Sequence, residues 1–138
     1  MQLEMNDNDE VESAVQEPTY IYRAVVTKVY DGDTITADVD VGLGVWVHGQ
    51  KLRLYGIDTP EVRGEEREEG LKVRDFVRSQ MGPGRDVDVI IRTYRDSKGK
   101  YGRWLAQVYY RSQHNPSGPM VSLNDTLLAR GYAKRTPY

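Results

Sequence analysis

Alternation of side chains over residues 20–57, interrupted by glycine turns, is the sequence feature that most constrains the fold. Residues 20–28 alternate between two sets of strand-favouring side chains, and residues 34–41 repeat the pattern. Asp31-Gly32, between them, is a strong hairpin signal, because glycine tolerates the positive φ that a tight turn requires. After a second glycine-containing turn, residues 45–57 are predicted to form a third strand. This half of the chain therefore predicts three successive strands joined by tight turns.

The pattern then changes to helical spacing. Residues 65–81 place apolar side chains three and four residues apart and are followed directly by Gly82-Pro83-Gly84, which ends a helix. Two further strands are predicted at residues 87–94 and 103–111, separated by a polar turn at residues 95–102. The helix therefore falls between the third and fourth strands.

A short C-terminal helix completes the pattern. Ser122 is its predicted N-cap, because Asp125 follows three residues later in a capping-box arrangement, and Gly131 closes it. The predicted order is β-β-β-α-β-β-α, a mostly β fold with helices (α+β). Five short strands with a helix between the third and fourth are typical of an OB-fold, a five-stranded barrel that commonly binds oligonucleotides.

Charge divides the chain into two segments. Residues 1–18 contain six acidic side chains and no lysine or arginine, and they lack periodicity, so they are predicted to be an acidic disordered tail. Residues 19–138, the predicted barrel domain, carry 19 basic and 15 acidic side chains, a net charge of +4 against −2 for the whole chain. A basic domain with many arginines suits a polyanionic ligand, although a solvated surface would have the same composition.

Several classes of protein are disfavoured. The chain has no cysteine, which excludes disulfides, thiolate metal sites and thiol nucleophiles. No apolar run approaches the roughly 20 residues of a membrane span, and the first residues lack the features of a signal peptide. We therefore expect a cytoplasmic protein without a membrane partner. A monomer is the default expectation, because no exposed apolar stripe or heptad is evident.

Three short charged motifs carry the functional signal: Asp31-Gly32-Asp33-Thr34, Arg53 followed by Asp58-Thr59-Pro60-Glu61, and Lys100-Tyr101-Gly102-Arg103. Taken singly, each has a structural interpretation, such as hairpin turn chemistry or a capping box. Together, Asp33 and Asp58 place two carboxylates at strand ends, with the backbone carbonyl of Thr59 beside them. An oxygen-only donor set of this kind suits Ca²⁺, Mg²⁺ or Mn²⁺ and argues against zinc or copper.

The remaining charged side chains fit phosphate chemistry. Arg53 and Arg103 could both point at one end of the barrel, where two arginines can clamp a phosphate, and Glu61 could orient or deprotonate a water molecule. A well-placed arginine supplies roughly 10³–10⁵ in phosphoryl-transfer rate, and a general base roughly 10²–10⁴. Loss of Glu61 is therefore expected to reduce the rate less than loss of Arg103.

With these motifs in this order, the chain resembles the staphylococcal-nuclease-like (thermonuclease) domain family over residues 20–134. Each tetrapeptide alone is a weak signal, but the ordered set is specific, and the segment 123–134 (LNDTLLARGYAK) adds to it. The resemblance implies a hydrolase that cuts single-stranded DNA and RNA in a Ca²⁺-dependent reaction and leaves 3′-phosphates. Its partners are then DNA and RNA, and Mg²⁺ or Mn²⁺ is a less favoured cofactor than Ca²⁺.

The resemblance also implies a role for individual positions. Those roles are as follows: Asp33, Asp58 and the Thr59 carbonyl as Ca²⁺ ligands, Asp31 as a carboxylate behind the metal, Arg53 and Arg103 as phosphate-binding arginines, Glu61 as general base, and Lys100 and Tyr101 as nucleotide contacts. Tyr138 lies one residue from the position where the family often has a nucleotide-stacking tyrosine, so we expect it to take that role.

Two alternatives remain at this stage. The same barrel occurs in nuclease-like domains that have lost catalysis and bind nucleic acid or protein, typically without the full set of carboxylates and arginines. A structural or regulatory protein could use the charged motifs for turns and caps, but this leaves the coincidence of Arg53, Arg103 and the carboxylates unexplained. We favour the enzyme because the whole set of side chains is present.

Overall fold

The computed structural model describes residues 7–16, 20–99 and 103–137, together with their side chains except those of residues 14–16 and 95–99. The predicted contacts Lys100, Tyr101 and Tyr138 lie outside the described residues. The elements in chain order are helix α1 Asp7–Gln16, strands β1 Ile21–Asp31, β2 Thr34–Asp40, β3 Trp46–Leu54 and β4 Ile57–Asp58, a 3₁₀ turn Gly64–Glu66, helix α2 Arg67–Met81, strands β5 Val89–Gly99, β6 Arg103–Arg111 and β7 Met120–Ser122, helix α3 Leu123–Ala129 and strand β8 Lys134–Arg135.

The main sheet closes on itself. Its strand order is β3-β2-β1-β5-β6-β7, and an additional parallel pairing of β3 with β6 joins the ends of the first five strands. In that closing pair Leu52 lies opposite Trp104, and Leu54 lies opposite Ala106. The predicted five-stranded OB-type barrel with helices is therefore confirmed.

Every second side chain along the strands points inward and fills the barrel. Along β2, Ile35, Ala37 and Val39 are buried while the residues between them are half-buried, as expected for a strand with one face inward. Helix α2 packs against β1 and buries Val73 and Val77 from its apolar stripe. This packing covers the part of the barrel where the first hairpin turns.

Both predicted helices are present, and the α-helical start of the first is shifted. The helix predicted at residues 65–81 begins as the 3₁₀ turn and continues as α2 to Met81, after which Gly82 has extended backbone. The Ser122 cap is confirmed, because its Oγ accepts a hydrogen bond of 3.1 Å from the backbone N–H of Asp125. None of the helices in the described ranges is both long enough and apolar enough to span a membrane.

The predicted third strand at residues 45–57 is interrupted. β3 ends at Leu54, Gly56 adopts a φ of +77°, and the chain resumes as β4, which pairs with β8 rather than with the barrel. Alternation could not reveal this break, because the apolar residues on either side of Gly56 keep the pattern of a strand. The break separates Arg53 from Asp58 and lets the chain fold back over Arg53.

Two other segments differ from the sequence predictions. β5 continues to Gly99 through much of the stretch predicted as a polar turn at residues 95–102. Within the tail predicted to be disordered, residues 7–16 form α1, with Asp7, Asp9 and Glu10 in its first turn, where the helix dipole favours acidic groups. The disorder of the tail and the division into a tail and a barrel domain both stay predictions.

Candidate active site

The turn between β1 and β2 holds two buried aspartates. Asp31 lies opposite Thr34, so Gly32 and Asp33 form a two-residue turn, and both aspartates are only 7% exposed. The backbone N–H of Asp33 donates to Asp31 Oδ1 over 3.1 Å, and Thr34 Oγ1 donates to Asp33 Oδ1 over 3.2 Å. These bonds fix the orientation of both carboxylates.

Gly32 is needed in this turn for a reason other than the predicted positive φ. Its φ lies outside the left-handed region, but a Cβ at this position would lie 2.5 Å from Val73 Cγ1 and 2.9 Å from Thr59 Oγ1. Glycine therefore allows α2 and the Thr59 segment to approach the hairpin closely.

Arg53 brings the two predicted metal-binding carboxylates together. Its guanidinium Nη1 lies 3.3 Å from Asp33 Oδ2, and its Nη2 forms an ion pair with Asp58 Oδ1. Nη1 also donates to the backbone carbonyl of Ile57 over 2.8 Å and to that of Leu54 over 3.2 Å. The chain beyond β3 thus wraps around a buried guanidinium that contacts both aspartates.

Thr59 completes this side of the site. Its backbone N–H donates to Asp33 Oδ2 over 2.9 Å, so Asp33 is held by the β1–β2 turn, by Arg53 and by the segment after β4. The Thr59 hydroxyl is buried and has no hydrogen-bond partner among the described residues. The Asp58 side chain is about half exposed, so the site opens to solvent on that side.

Glu61 lies in a cleft next to these groups. The cleft has a volume of about 390 Å³ and is lined by Asp58 to Glu61 on one side and by Gly131 to Lys134, after α3, on the other. Gly70 in α2 sets the position of Glu61: a Cβ there would overlap the Glu61 carbonyl oxygen and lie 2.5 Å from its carbonyl carbon. The backbone of Glu61 therefore rests directly on the helix.

The carboxylates influence one another electrostatically. The pKa of Asp31 is raised to about 7, chiefly by burial and then by the negative charges of Asp33 and, more weakly, Glu61, although the Asp33 N–H acts in the opposite direction. These three acidic groups thus share one region of negative potential. Among the residues that the structure describes, however, no three His, Asp or Glu side chains lie close enough together to hold a metal ion.

Arg103 is the first residue of β6. In the parallel pair, Arg53 lies opposite Leu105, and partners in neighbouring strands point to the same face of a sheet. Side chains alternate along a strand, so Arg103, two residues before Leu105, points to the same face as Leu105 and therefore as Arg53. The structure therefore places the two arginines on one face of the β3–β6 pair.

Comparison with known proteins agrees with this arrangement. The family model described as staphylococcal nuclease homologue matches residues 51–137, more than half of the chain. The chain belongs to the family of staphylococcal nuclease homologues. The resemblance inferred from the motifs is therefore confirmed, and the matched segment includes Arg53, Asp58, Glu61 and Arg103.

This nuclease homologue is also similar in sequence to two individual proteins. It is 29% identical over 132 residues to the uncharacterized protein MJ1439 of Methanocaldococcus jannaschii, a match that covers 82% of this chain and 58% of the relative. It is 30% identical over 120 residues to the endonuclease YhcR of Bacillus subtilis, covering 81% of this chain and 9% of the relative. The chain thus spans a little over half of one relative and a small part of the other.

Asn124 is a structural residue of this nuclease homologue that sequence reasoning missed. It is 2% exposed, and its Oδ1 accepts from the backbone N–H of Val108 over 3.1 Å. Its Nδ2 donates to the carbonyls of Tyr55 and Ala106 over 2.9 and 3.3 Å. Asn124 therefore fastens α3 to the barrel and to the segment just beyond Arg53, and only its presence in the family-like segment after Ser122 hinted at this.

Proposed function

We propose that this staphylococcal nuclease homologue is a calcium-dependent phosphodiesterase that cleaves single-stranded DNA and RNA and leaves 3′-phosphates. The observation that carries the proposal is the contact of Asp33 and Asp58 with one guanidinium, that of Arg53. A constellation of two carboxylates and an arginine at one point suits a hard cation together with a phosphate. The relative named an endonuclease supports a nuclease activity.

The donor chemistry fits a calcium ion. Asp33 and Asp58 offer carboxylate oxygens and Thr59 a backbone carbonyl, which are the hard ligands that Ca²⁺ prefers. The mutual repulsion that helps to raise the pKa of Asp31 indicates a region where a cation is favourable. When bound, the ion would act as a Lewis acid on a phosphate oxygen and assist deprotonation of water.

Side chains of the protein itself supply the other requirements of hydrolysis: orientation of the phosphate, neutralisation of its charge and acceptance of a proton. Arg53 is held rigidly by two backbone carbonyls and can orient a phosphate with its fixed fork of donors, while Arg103 can neutralise charge that develops on the phosphate oxygens. Glu61, at the edge of an open cleft, can accept the proton of an attacking water. Because water is the nucleophile, no ribose 2′-hydroxyl is required, so both DNA and RNA are expected substrates.

The test is release of acid-soluble nucleotides from single-stranded DNA in Ca²⁺, in Mg²⁺ and in EDTA, with the chemistry of the new ends determined by mass spectrometry. We expect release in Ca²⁺ with 3′-phosphate ends, and none in EDTA. Asp33→Asn should abolish release, whereas Asp75→Asn, an exposed aspartate of α2 that pairs with Arg74, should leave it unchanged. Equal release by the two variants would contradict the proposed site.

A second candidate function is nucleic-acid binding without catalysis. It is favoured by the engagement of both aspartates with Arg53, which occupies carboxylate oxygens that a metal ion would need. Retention of DNA on a filter without release in any metal, and equal retention by Asp33→Asn, would support binding alone.

A further inference from the structure

The hairpin between β2 and β3 ends in an exposed apolar surface. Residues 41–47 have the sequence VGLGVWV, and all five of their side chains are exposed, which is half of the ten large apolar side chains that are exposed in the described part of the chain. Leu43, in the middle of this segment, is exposed completely. Contiguous apolar surface of this kind usually marks a site of interaction. We call residues 41–47 the apolar tip.

The backbone of the apolar tip holds Leu43 in a conformation that leucine rarely adopts. The N–H of Val45 donates to the carbonyl of Gly42 over 2.9 Å, so Leu43 and Gly44 are the central residues of a tight turn, and their φ angles are +58° and +74°. The first central position of a hairpin turn with two positive φ angles usually holds Asn, Asp or Gly. Leucine therefore makes this turn less stable, and its side chain needs a role outside the folding of the hairpin.

An apolar pocket opens beside the apolar tip. It has a volume of about 400 Å³ and lies at the start of β1 and the end of β2, whereas the Asp31–Thr34 turn joins the other ends of these strands. Nine of its eleven lining residues are aliphatic or aromatic, with buried Leu52 and Ile91 in its wall and Val41 and Val47 of the apolar tip at its edge. The pocket therefore suits an apolar side chain, and its edge is formed by the segment that carries Leu43.

Charges around the pocket favour a protein surface as its occupant. Asp38 and Asp40 lie on the outer face of β2, in the hairpin that carries the apolar tip, and their charge disfavours an anionic membrane or a nucleic acid there. The sign changes on the neighbouring strands: Arg23 of β1 and Arg92 of β5 are exposed, and both strands also line the pocket. An apolar tip with acidic flanks thus matches a pocket whose outer rim is basic, and the chain carries both.

We infer that two copies of this chain associate by inserting Leu43 of each copy into the apolar pocket of the other. A reciprocal contact closes about a two-fold axis when both complementary surfaces lie side by side, as the apolar tip and the pocket do. The monomer expected from the sequence rested on the lack of an exposed apolar stripe, and the apolar tip is a surface of that kind. The inference is independent of the proposed nuclease function, because no residue of the candidate active site lines the pocket.

The first experiment is sedimentation equilibrium of the full chain at protein concentrations from about 1 μM to about 1 mM. We expect a monomer–dimer equilibrium in this range, and a monomer at every concentration would overturn the inference. Leu43→Asn should weaken dimerisation at least about a hundredfold, because each dimer loses the burial of two leucine side chains, whereas Asn adopts positive φ readily and keeps the turn. Val11→Asn, at an exposed apolar position of α1, is the matched control and should leave dimerisation unchanged.

Complementation between two variants tests the pocket itself. Thr93→Trp fills the pocket from its lining and keeps Leu43, whereas Leu43→Asn keeps the pocket, so neither variant should dimerise alone. Their mixture should form a heterodimer through the one remaining contact, at least about tenfold tighter than either variant with itself. Gln50→Phe, which also fills the pocket, replaces Thr93→Trp if circular dichroism shows that the latter does not fold.

Three results of the complementation experiment would overturn the reciprocal contact. The first is a mixture that stays monomeric although both variants are folded, and the second is dimerisation of Thr93→Trp with unchanged affinity. The third is a series of masses beyond the dimer, because an insertion that does not close about a two-fold axis produces open chains of copies.

Discussion

At the scale of single residues, Arg53 combines a structural and a chemical role. Its guanidinium donates to the carbonyls of Leu54 and Ile57 and contacts Asp33 and Asp58 at the same time. The backbone contacts fix the guanidinium, so the fold rather than the ion pairs determines where the two carboxylates meet. A charge with only 6% exposure is tolerated because it pairs with two carboxylates and donates to two backbone carbonyls.

Arg53→Ala is therefore expected to lower the free energy of unfolding by about 3 kcal/mol, since it removes the positive charge beside buried Asp33 and the Arg53 donor from two backbone carbonyls. The half-exposed Asp58 regains water and contributes little to this loss. Urea unfolding measures the effect. Arg63→Ala, at an exposed position before the 3₁₀ turn, is the control and should change stability by less than about 0.5 kcal/mol. A similar loss in the two variants would refute the bridging role of Arg53.

At the scale of elements, the sequence predicted those features that depend on local pattern. Alternation located the barrel strands, and Gly82-Pro83-Gly84 located the end of α2. The positions of Arg53 and Asp58 near strand ends predicted that they share a region, although the role of each side chain stays a prediction. The contact of Gly70 with Glu61 and the hydrogen bonds of Asn124 were not predictable, because they join segments whose proximity is decided by tertiary packing rather than by periodicity.

Gly70 provides a test of how α2 supports the site. In an ordinary helix interior, Gly→Ala stabilises by about 1 kcal/mol. Here Gly70→Ala is expected to destabilise by about 1–3 kcal/mol, because the new Cβ overlaps backbone atoms of Glu61, which cannot move as freely as a side chain tip. The displaced Glu61 should also reduce the proposed activity. The sign of the change in the free energy of unfolding, measured with urea, decides between stabilisation and destabilisation. A more stable variant would show that the backbone around Glu61 moves aside without loss of stability.

At the scale of the whole molecule, charge is distributed unevenly. Residues 1–18 contribute six of the 21 acidic side chains, and the rest of the chain has a net charge of +4. Residues 7–13 of this segment are exposed, including Val11 at 64%, so α1 adds little buried surface to the barrel. The acidic segment therefore affects the molecule mainly through its field, which falls off over a Debye length of about 10 Å at 0.1 M salt.

Deletion of residues 1–18 separates the effect of the acidic segment on stability from its effect on nucleic-acid affinity. The free energy of unfolding should change by less than about 0.5 kcal/mol, because residues 7–13, the part of this segment whose side chains the structure describes, are all exposed and such positions contribute little to stability. Affinity for a single-stranded oligonucleotide should rise at low salt, where the loss of six negative charges strengthens attraction, and the two proteins should converge as salt increases. Urea unfolding and fluorescence anisotropy at several salt concentrations measure the two quantities.

If the tail instead lay over the basic surface as a specific competitor, its deletion would raise affinity even in high salt, because contacts that exclude nucleic acid sterically are not screened. An affinity and a salt dependence that are both unchanged would mean that the tail neither covers the barrel nor modifies its field at the binding surface.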